Sequence, residues 1–224
     1  MDFDTVVRTT FAAREFTDQP VTDATIATLL EQARFAPSGG NRQGWHVIVV
    51  RDPAVRSRIR SMVRPMMQRY VAQLRAGENP FNTVEPSRVT EADIRSQEVP
   101  PALIDWVEQA PVMLVVCVDL KVVAAMDAEA DRVGVIAGAS IYPFAWNILL
   151  AARNAGLGGT LTTFLAGVEP QARDLLGIPD DHAVACALPL GYPVRQLTKL
   201  KRKRVAEIAS LETFDGPRLQ DPDY

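Results

Sequence analysis

The sequence predicts one α+β domain, on three observations. Segments with helical and strand-like apolar spacing follow one another without strict alternation, which suits an α+β fold better than a wound parallel sheet. Residues 112–118 (VMLVVCV) are continuously apolar between Pro111 and Asp119, the mark of a strand buried on both faces. No internal repeat and no linker divides the chain, so residues 1–224 read as a single domain.

Phe3, Val6, Val7 and Thr10 recur at helical spacing and predict a short N-terminal helix with Arg8 near its end. After a loop through Pro20, Thr22 is placed to cap a second helix with Asp23 in its first turn, and Ile26, Leu29, Leu30 and Ala33 form its apolar stripe. The stripe stops at Phe35-Ala36-Pro37, because proline disfavours helix in the residue before it. Ser38-Gly39-Gly40-Asn41 then reads as a loop with unusual backbone freedom. Residues 45–50 predict a strand, Asp52-Pro53 a turn, and the chain toward Leu74 a helix. Residues 77–100 are polar and proline-bearing, a surface excursion and candidate lid.

Beyond the 112–118 strand, residues 134–153 predict a long helix, apolar around its circumference and ending near Asn154-Ala155-Gly156. Residues 158–164 predict a short strand, and 170–176 a short helix closed by Gly177 and Pro179. Residues 183–190 predict a last strand, stopped by Gly191 and Pro193. A basic run from Lys199 to Arg204 opens a polar tail.

Composition narrows the function classes. With 47% hydrophobic and 23% charged residues the balance is that of a globular protein, and a formal charge of −3 gives no electrostatic reason to expect nucleic acid. Cys117 and Cys186 lie far apart in apolar runs, so neither a disulfide framework nor a CxxC pair is indicated; buried free thiols suit a reducing cytoplasm. The N-terminus lacks the apolar core of a secretory signal. Residues 134–152 are uncharged and long enough to span a bilayer, but they contain Ser140, Pro143 and Asn147 and have no companion segment. The expectation is therefore a core or subunit-interface helix, with no membrane.

Several chemistries are absent from the sequence. There is no GxGxxG after a strand, no GxxxxGK[ST] and no GxSxG. With His46 and His182 as the only histidines, a histidine-based metal site is not indicated. The positive signal lies in Ser38-Gly39-Gly40-Asn41-Arg42-Gln43. A plain helix-to-strand connector explains the glycines, and asparagine is common in turns anyway. Asn41 and Gln43 together also suit the edge of a planar heterocycle that alternates carbonyl and N–H, as a flavin pyrimidine ring does. A second signal is cationic: Arg8 and Arg14 near one end, Lys199, Lys201, Arg202, Lys203 and Arg204 near the other. These read either as a solvated face or as a phosphate grip, for which arginine offers a planar fork of donors.

At these residues the chain resembles the FMN-dependent nitroreductase superfamily. Arg14-Glu15-Phe16 matches the end of the family's early arginine-rich segment. Residues 34–45, RFAPSGGNRQGW, match its helix-ending Ala-Pro-Ser-x-x-Asn-x-Gln-Pro-Trp motif. Residues 151–163 resemble its helix–Gly-Leu-Gly–strand element, and 185–193 its last core strand. The resemblance implies a central mixed, mainly antiparallel sheet flanked by helices, in an intertwined homodimer. Its C-terminal arm, about residues 195–224, would embrace the partner. The helix over 134–153 would lie near the interface centre, with FMN bound between the subunits.

By position, Arg14 would approach the flavin ring, while Ser38, Gly39, Gly40, Asn41 and Gln43 would line the site from the neighbouring subunit. Thr160, Leu161, Thr162 and Thr163 would run along the ring, and Lys201 and Arg202 would hold the phosphate. The family's early Arg-x-Ser falls here on Thr10-Phe11-Ala12, so Arg8 is the candidate replacement cation. Gly44 stands where the family has proline, implying a more flexible loop before Trp45. The activity implied is electron transfer from NADH or NADPH to a nitroaromatic, quinone or similar small-molecule acceptor, with no obligatory acid or base side chain. A flavin-cleaving or dehalogenating enzyme, or a non-enzymatic flavin-sequestering protein, are the alternatives on the same scaffold.

Overall fold

The computed structural model describes residues 1–222. Thirteen helices and strands occur among them: α1 Phe3–Thr9, α2 Asp23–Ala33, β1 Trp45–Val50, α3 Pro53–Arg75, α4 Glu91–Arg95, α5 Pro101–Ile104, α6 Trp106–Gln109, β2 Val112–Asp119, α7 Tyr142–Asn154, β3 Gly158–Gly159, α8 Glu169–Leu176, β4 His182–Gly191 and α9 Val205–Ile208. The last two residues of the anticipated arm, Asp223 and Tyr224, lie outside the described residues.

The local signals act as their chemistry requires. Asp2 accepts from Thr5 N at the start of α1, and Thr22 from Thr25 N (3.1 Å) at the start of α2. Asp52 caps α3 with Pro53 at its first turn, and Gly177, at φ +66°, closes α8 in a conformation that costs glycine little.

The strands form one sheet in the order β1-β2-β4-β3, every neighbour antiparallel. A parallel bridge from Ala12 to Gly159 adds the mixed character. Because strand side chains alternate, the apolar run in β2 feeds two cores. Val112, Leu114, Val116 and Val118 point to one side and pack with Ile26, Leu29, Phe144 and Ile148 from α2 and α7. Met113, Val115 and Cys117 point to the other and pack with Ile59, Val63 and Met67 of α3 and Ala172 of α8. Between Val116 and Cys117 the pairing with β4 slips: Val116 faces Cys186 and Cys117 faces Val184. This is a bulge that leaves Ala185 over.

Three expectations are corrected. The helix predicted over 134–153 begins only at Tyr142, after a 3-10 segment Ile136–Ser140 and a non-helical Ile141 (φ −124°, ψ −54°). Pro143 explains the boundary, since proline fits the first turn of a helix and disrupts an interior. Nor is the helix apolar toward a partner all round: Phe144, Ala145, Ile148 and Leu149 are buried in this chain's own core, while Tyr142 and Trp146 face out. Finally, the strand predicted over 158–164 is two residues long, followed by an isolated bridge from Thr162 to Ala187. None of the helices among the described residues is long and apolar enough to cross a membrane.

The 77–100 excursion is a folded unit. Glu78 accepts from Ser87 Oγ (2.6 Å) and Arg88 N (2.7 Å), and Thr90 with Asp93 makes a reciprocal capping box at α4, which packs on α3.

Candidate functional site

The glycine loop forms where α2 can no longer continue. Ser38 is extended, Gly39–Asn41 makes one 3-10 turn, and positive φ occurs at Gly40 (60°), Asn41 (53°) and Gln43 (51°). Asparagine tolerates this region; glutamine there stores strain on the order of 1 kcal/mol, and such strain collects at functional loops. The loop is held by its own side chains. Ser38 Oγ accepts from Gln43 N (3.0 Å), and Gln43 Nε2 donates to Asn41 Oδ1 (3.1 Å). Gly39 N donates to Ser140 Oγ (3.0 Å), reaching across to the segment before α7. At the far end Trp45 stacks on Phe144, centroids 4.7 Å apart and planes within 4°.

Gly44 does not loosen this loop, as the loss of proline had implied. A Cβ there would sit 2.3 Å from Val122 Cγ2, and the Gly44 carbonyl accepts from Asp119 N (2.7 Å). Glycine is required by close approach, and the loop is pinned.

The cations from the two chain ends meet. Gln196 Nε2 donates to Thr9 O (3.0 Å) and Arg153 Nε to Thr9 Oγ1 (2.8 Å), so the segment after β4 lies back across α1 and α7. The result is a cavity of about 510 Å³ lined by Arg8, Thr10, Lys199 and Arg202 together with Trp146 and Leu200. Arg8 also pairs with Asp4 (2.8 Å). Lys201 is not part of the lining; its carbonyl accepts from Arg202 Nη1 (2.8 Å). The cavity unites one expected phosphate ligand, Arg202, with the expected replacement cation, Arg8.

Arg14 and the threonines share a sheet edge. Ala13 N donates to Gly159 O (3.0 Å), Thr17 N to Tyr192 O (2.8 Å) and Val194 N to Glu15 O (3.1 Å), which carries residues 12–17 along β3 and the end of β4. Arg14 is exposed on this strip. Thr160 is buried, Leu161 and Thr162 are half-buried and Thr163 is exposed. Thr162 is clamped to Ala187 by two backbone hydrogen bonds, yet its Oγ1 is buried without a partner. A buried hydroxyl left unmade is costly, and a bound ligand is one way to satisfy it. The Ser38–Gln43 residues do not line the cation cavity, so within one chain the expected site residues form separate groups.

Sequence reasoning missed Trp146 and Ser140. Both lay inside the apolar run read as one helix, and only the break at Ile141 separates them. A second, smaller cavity of about 270 Å³ lies across the sheet, lined by His46, Cys117 and His182 with Leu176 and Ile178. Burial raises the Cys117 thiol to about 11 and the Cys186 thiol to about 12, so neither is a nucleophile near neutral pH. Among the described residues no group of three or more His, Cys, Asp or Glu is placed to hold a metal ion.

An antiparallel sheet between two helical layers, with a strained amide-bearing loop and a separate cationic cavity, defines an α+β architecture. The chain belongs to the nitroreductase family, whose model matches residues 7–192. It is 28% identical over 185 residues to an NADH dehydrogenase of Thermus thermophilus, covering 82% of each chain. It is 26% identical over 202 residues to an iodotyrosine deiodinase of Nematostella vectensis, covering 89% of this chain and 70% of that one. The structure of an oxidized iodotyrosine deiodinase bound to FMN and 3-iodo-L-tyrosine shares the fold with a TM-score of 0.67 at 20% identity, covering 93% of this chain and 98% of that. Lys199 and Arg202 fall beyond the family match, so their place in the cavity rests on this chain's geometry alone.

Proposed function

We propose that the protein is an FMN-dependent oxidoreductase that takes electrons from NADH or NADPH and delivers them to electron-poor acceptors such as nitroaromatics and quinones. The observation that carries this reading is the 510 Å³ cavity, where Arg8 and Arg202 converge from opposite ends of the sequence beside the indole of Trp146. When bound, FMN supplies the redox chemistry, and the protein supplies binding, orientation and charge.

The residues fit that group. Arg8, Lys199 and Arg202 offer charge-assisted donors to a phosphate dianion. Thr162 Oγ1 is a buried group in want of a hydrogen-bond partner. Asn41 and Gln43, both exposed on a pinned loop, present amides to a heterocycle edge. Arg14 would stabilise negative charge on a reduced ring. No dinucleotide fingerprint is present to hold an adenosine, which favours FMN over FAD.

The working form in this reading is a homodimer with flavin between subunits. Apolar side chains left outside support it: Phe3 is 79% exposed and Phe214 90%, and Tyr142, Trp146, Ile208 and Leu211 are exposed as well. The separation of the Ser38–Gln43 loop from the cation cavity fits a site completed by a second copy.

The purified protein is expected to be yellow and to release FMN on denaturation. Anaerobic titration with each nicotinamide should bleach it, and a quinone or nitroarene should restore the colour. Colourless protein that takes up no added FMN sinks the proposal. Reductive dehalogenation is the second reading, favoured by the deiodinase relative. Halide release from a halotyrosine without quinone turnover would select it.

A further inference from the structure

The chain between β2 and α7 touches the Ser38–Gln43 loop and its exit from both sides. At one end Val122 packs where a side chain on Gly44 would stand, and Asp119 N donates to Gly44 O (2.7 Å). At the other, Ser140 Oγ accepts from Gly39 N (3.0 Å). The intervening residues have little regular structure, and one carboxylate closes them into a loop. Asp127 Oδ2 accepts from Arg132 Nη1 (2.7 Å) and Val135 N (2.8 Å), and Oδ1 lies 3.4 Å from Ile136 N. Asp127 is buried, at 9% exposure, in a run from 124 to 135 whose other residues are exposed. The side chains this clasp holds outward are apolar: Met126 (87% exposed), Val133 (57%) and Val135 (66%). Glu129 and Asp131 lie between them and repel anions.

We infer that residues 122–140 form the acceptor-facing wall of the site and that Asp127 positions it, favouring neutral, apolar, planar acceptors over anionic ones. This rests on the proposed FMN site. Two facts separate it from the 77–100 excursion as the candidate lid. The 122–140 segment contacts the glycine loop directly, whereas 77–100 is tied to α3 through Glu78 N and Phe81 N, which both donate to Gln73, and through α4. And the clasp orders a loop that has no core of its own, a task a buried carboxylate with three donors performs well.

The test uses the intact protein and the variants Asp127→Ala, Asp127→Asn and Val135→Glu. Hydrogen exchange, read with or without flavin, should find the Val135 and Ile136 amides protected in the parent and released in Asp127→Ala. In flavin-loaded protein reduced by light with EDTA as the sacrificial electron donor, reoxidation by menadione should show a half-saturating concentration raised about tenfold in Asp127→Ala. It should be partly rescued in Asp127→Asn and raised again in Val135→Glu, a surface change that leaves folding intact. The anionic acceptor ferricyanide, already repelled by Glu129 and Asp131, should be unaffected by Asp127→Ala and Asp127→Asn and show a higher half-saturating concentration in Val135→Glu, and flavin content should be unchanged. Protected amides in Asp127→Ala, or an equal effect of Asp127→Ala on both acceptors, overturn the inference. Protein that takes up no FMN overturns the proposed function itself, whereas flavin-loaded protein with no acceptor discrimination overturns only the wall.

Discussion

Arg8 and Arg202 are both exposed at the rim of their cavity, so replacing either removes a donor without opening a core. Arg8→Ala and Arg202→Ala are each expected to weaken FMN binding by about 1.5–3 kcal/mol, roughly ten- to a hundredfold, with the melting temperature of the flavin-free protein unchanged. Fluorescence titration measures it, and unaltered affinity in both returns them to a solvated face. A different residue contributes to acid behaviour. Asp181 is held down to about 2 from an ordinary 3.8 by hydrogen bonds from Lys121 and then His182. Its carboxylate is favoured in the folded state, so its contribution is complete above about 4 and is lost as pH falls toward 2. Asp181→Asn should flatten that part of an acid-unfolding curve and leave stability differences with the parent constant above pH 5.

Among the elements, α7 has two faces with separate duties. Ile148 is fully buried against β2 and α2, so Ile148→Ala should cost about 2–5 kcal/mol in denaturant melts. Ile148→Arg would place an unpaired charge in the core and should give insoluble protein instead of a clean monomer. Trp146, on the opposite face and in the cation cavity, should behave in reverse: Trp146→Ala keeps the fold and loses flavin affinity. If Trp146→Ala melts the protein as severely as Ile148→Ala, the two-faced account is wrong. Helix starts follow local chemistry, so Thr22→Ala should cost about 1 kcal/mol through the lost α2 cap.

For the whole molecule, assembly and cofactor binding should be one linked equilibrium, because the proposed flavin groups are divided between separate regions of a single chain. Dilution should release FMN as dimers dissociate. Phe3→Glu or Phe214→Glu, each placing charge on an exposed apolar side chain, should shift the molecule to monomer and strip flavin together. Light scattering with flavin absorbance reads both. A folded monomer holding one FMN per chain would show that the site is built within one chain.

What the sequence determined by itself is local and periodic. The two-faced burial of β2, the Thr22 start and Pro37 stop around α2, and the Gly177 close of α8 are written in side-chain spacing and backbone freedom, which act over a few residues. The family motif at Ser38–Trp45 was legible for the same reason. Tertiary structure alone decided the rest. Apolar content could not show where the helix after residue 134 begins, because core, 3-10 turn and helix share that composition; Pro143 is a helix-start signal that the sequence carries, and the burial of Ile141 in the core selects it over a longer helix. Arg8 meets Arg202, and Ser140 meets Gly39, across roughly a hundred or more residues of chain. Such contacts are set by how two helical layers close over one sheet, and no sequence window of helical or strand period contains both partners.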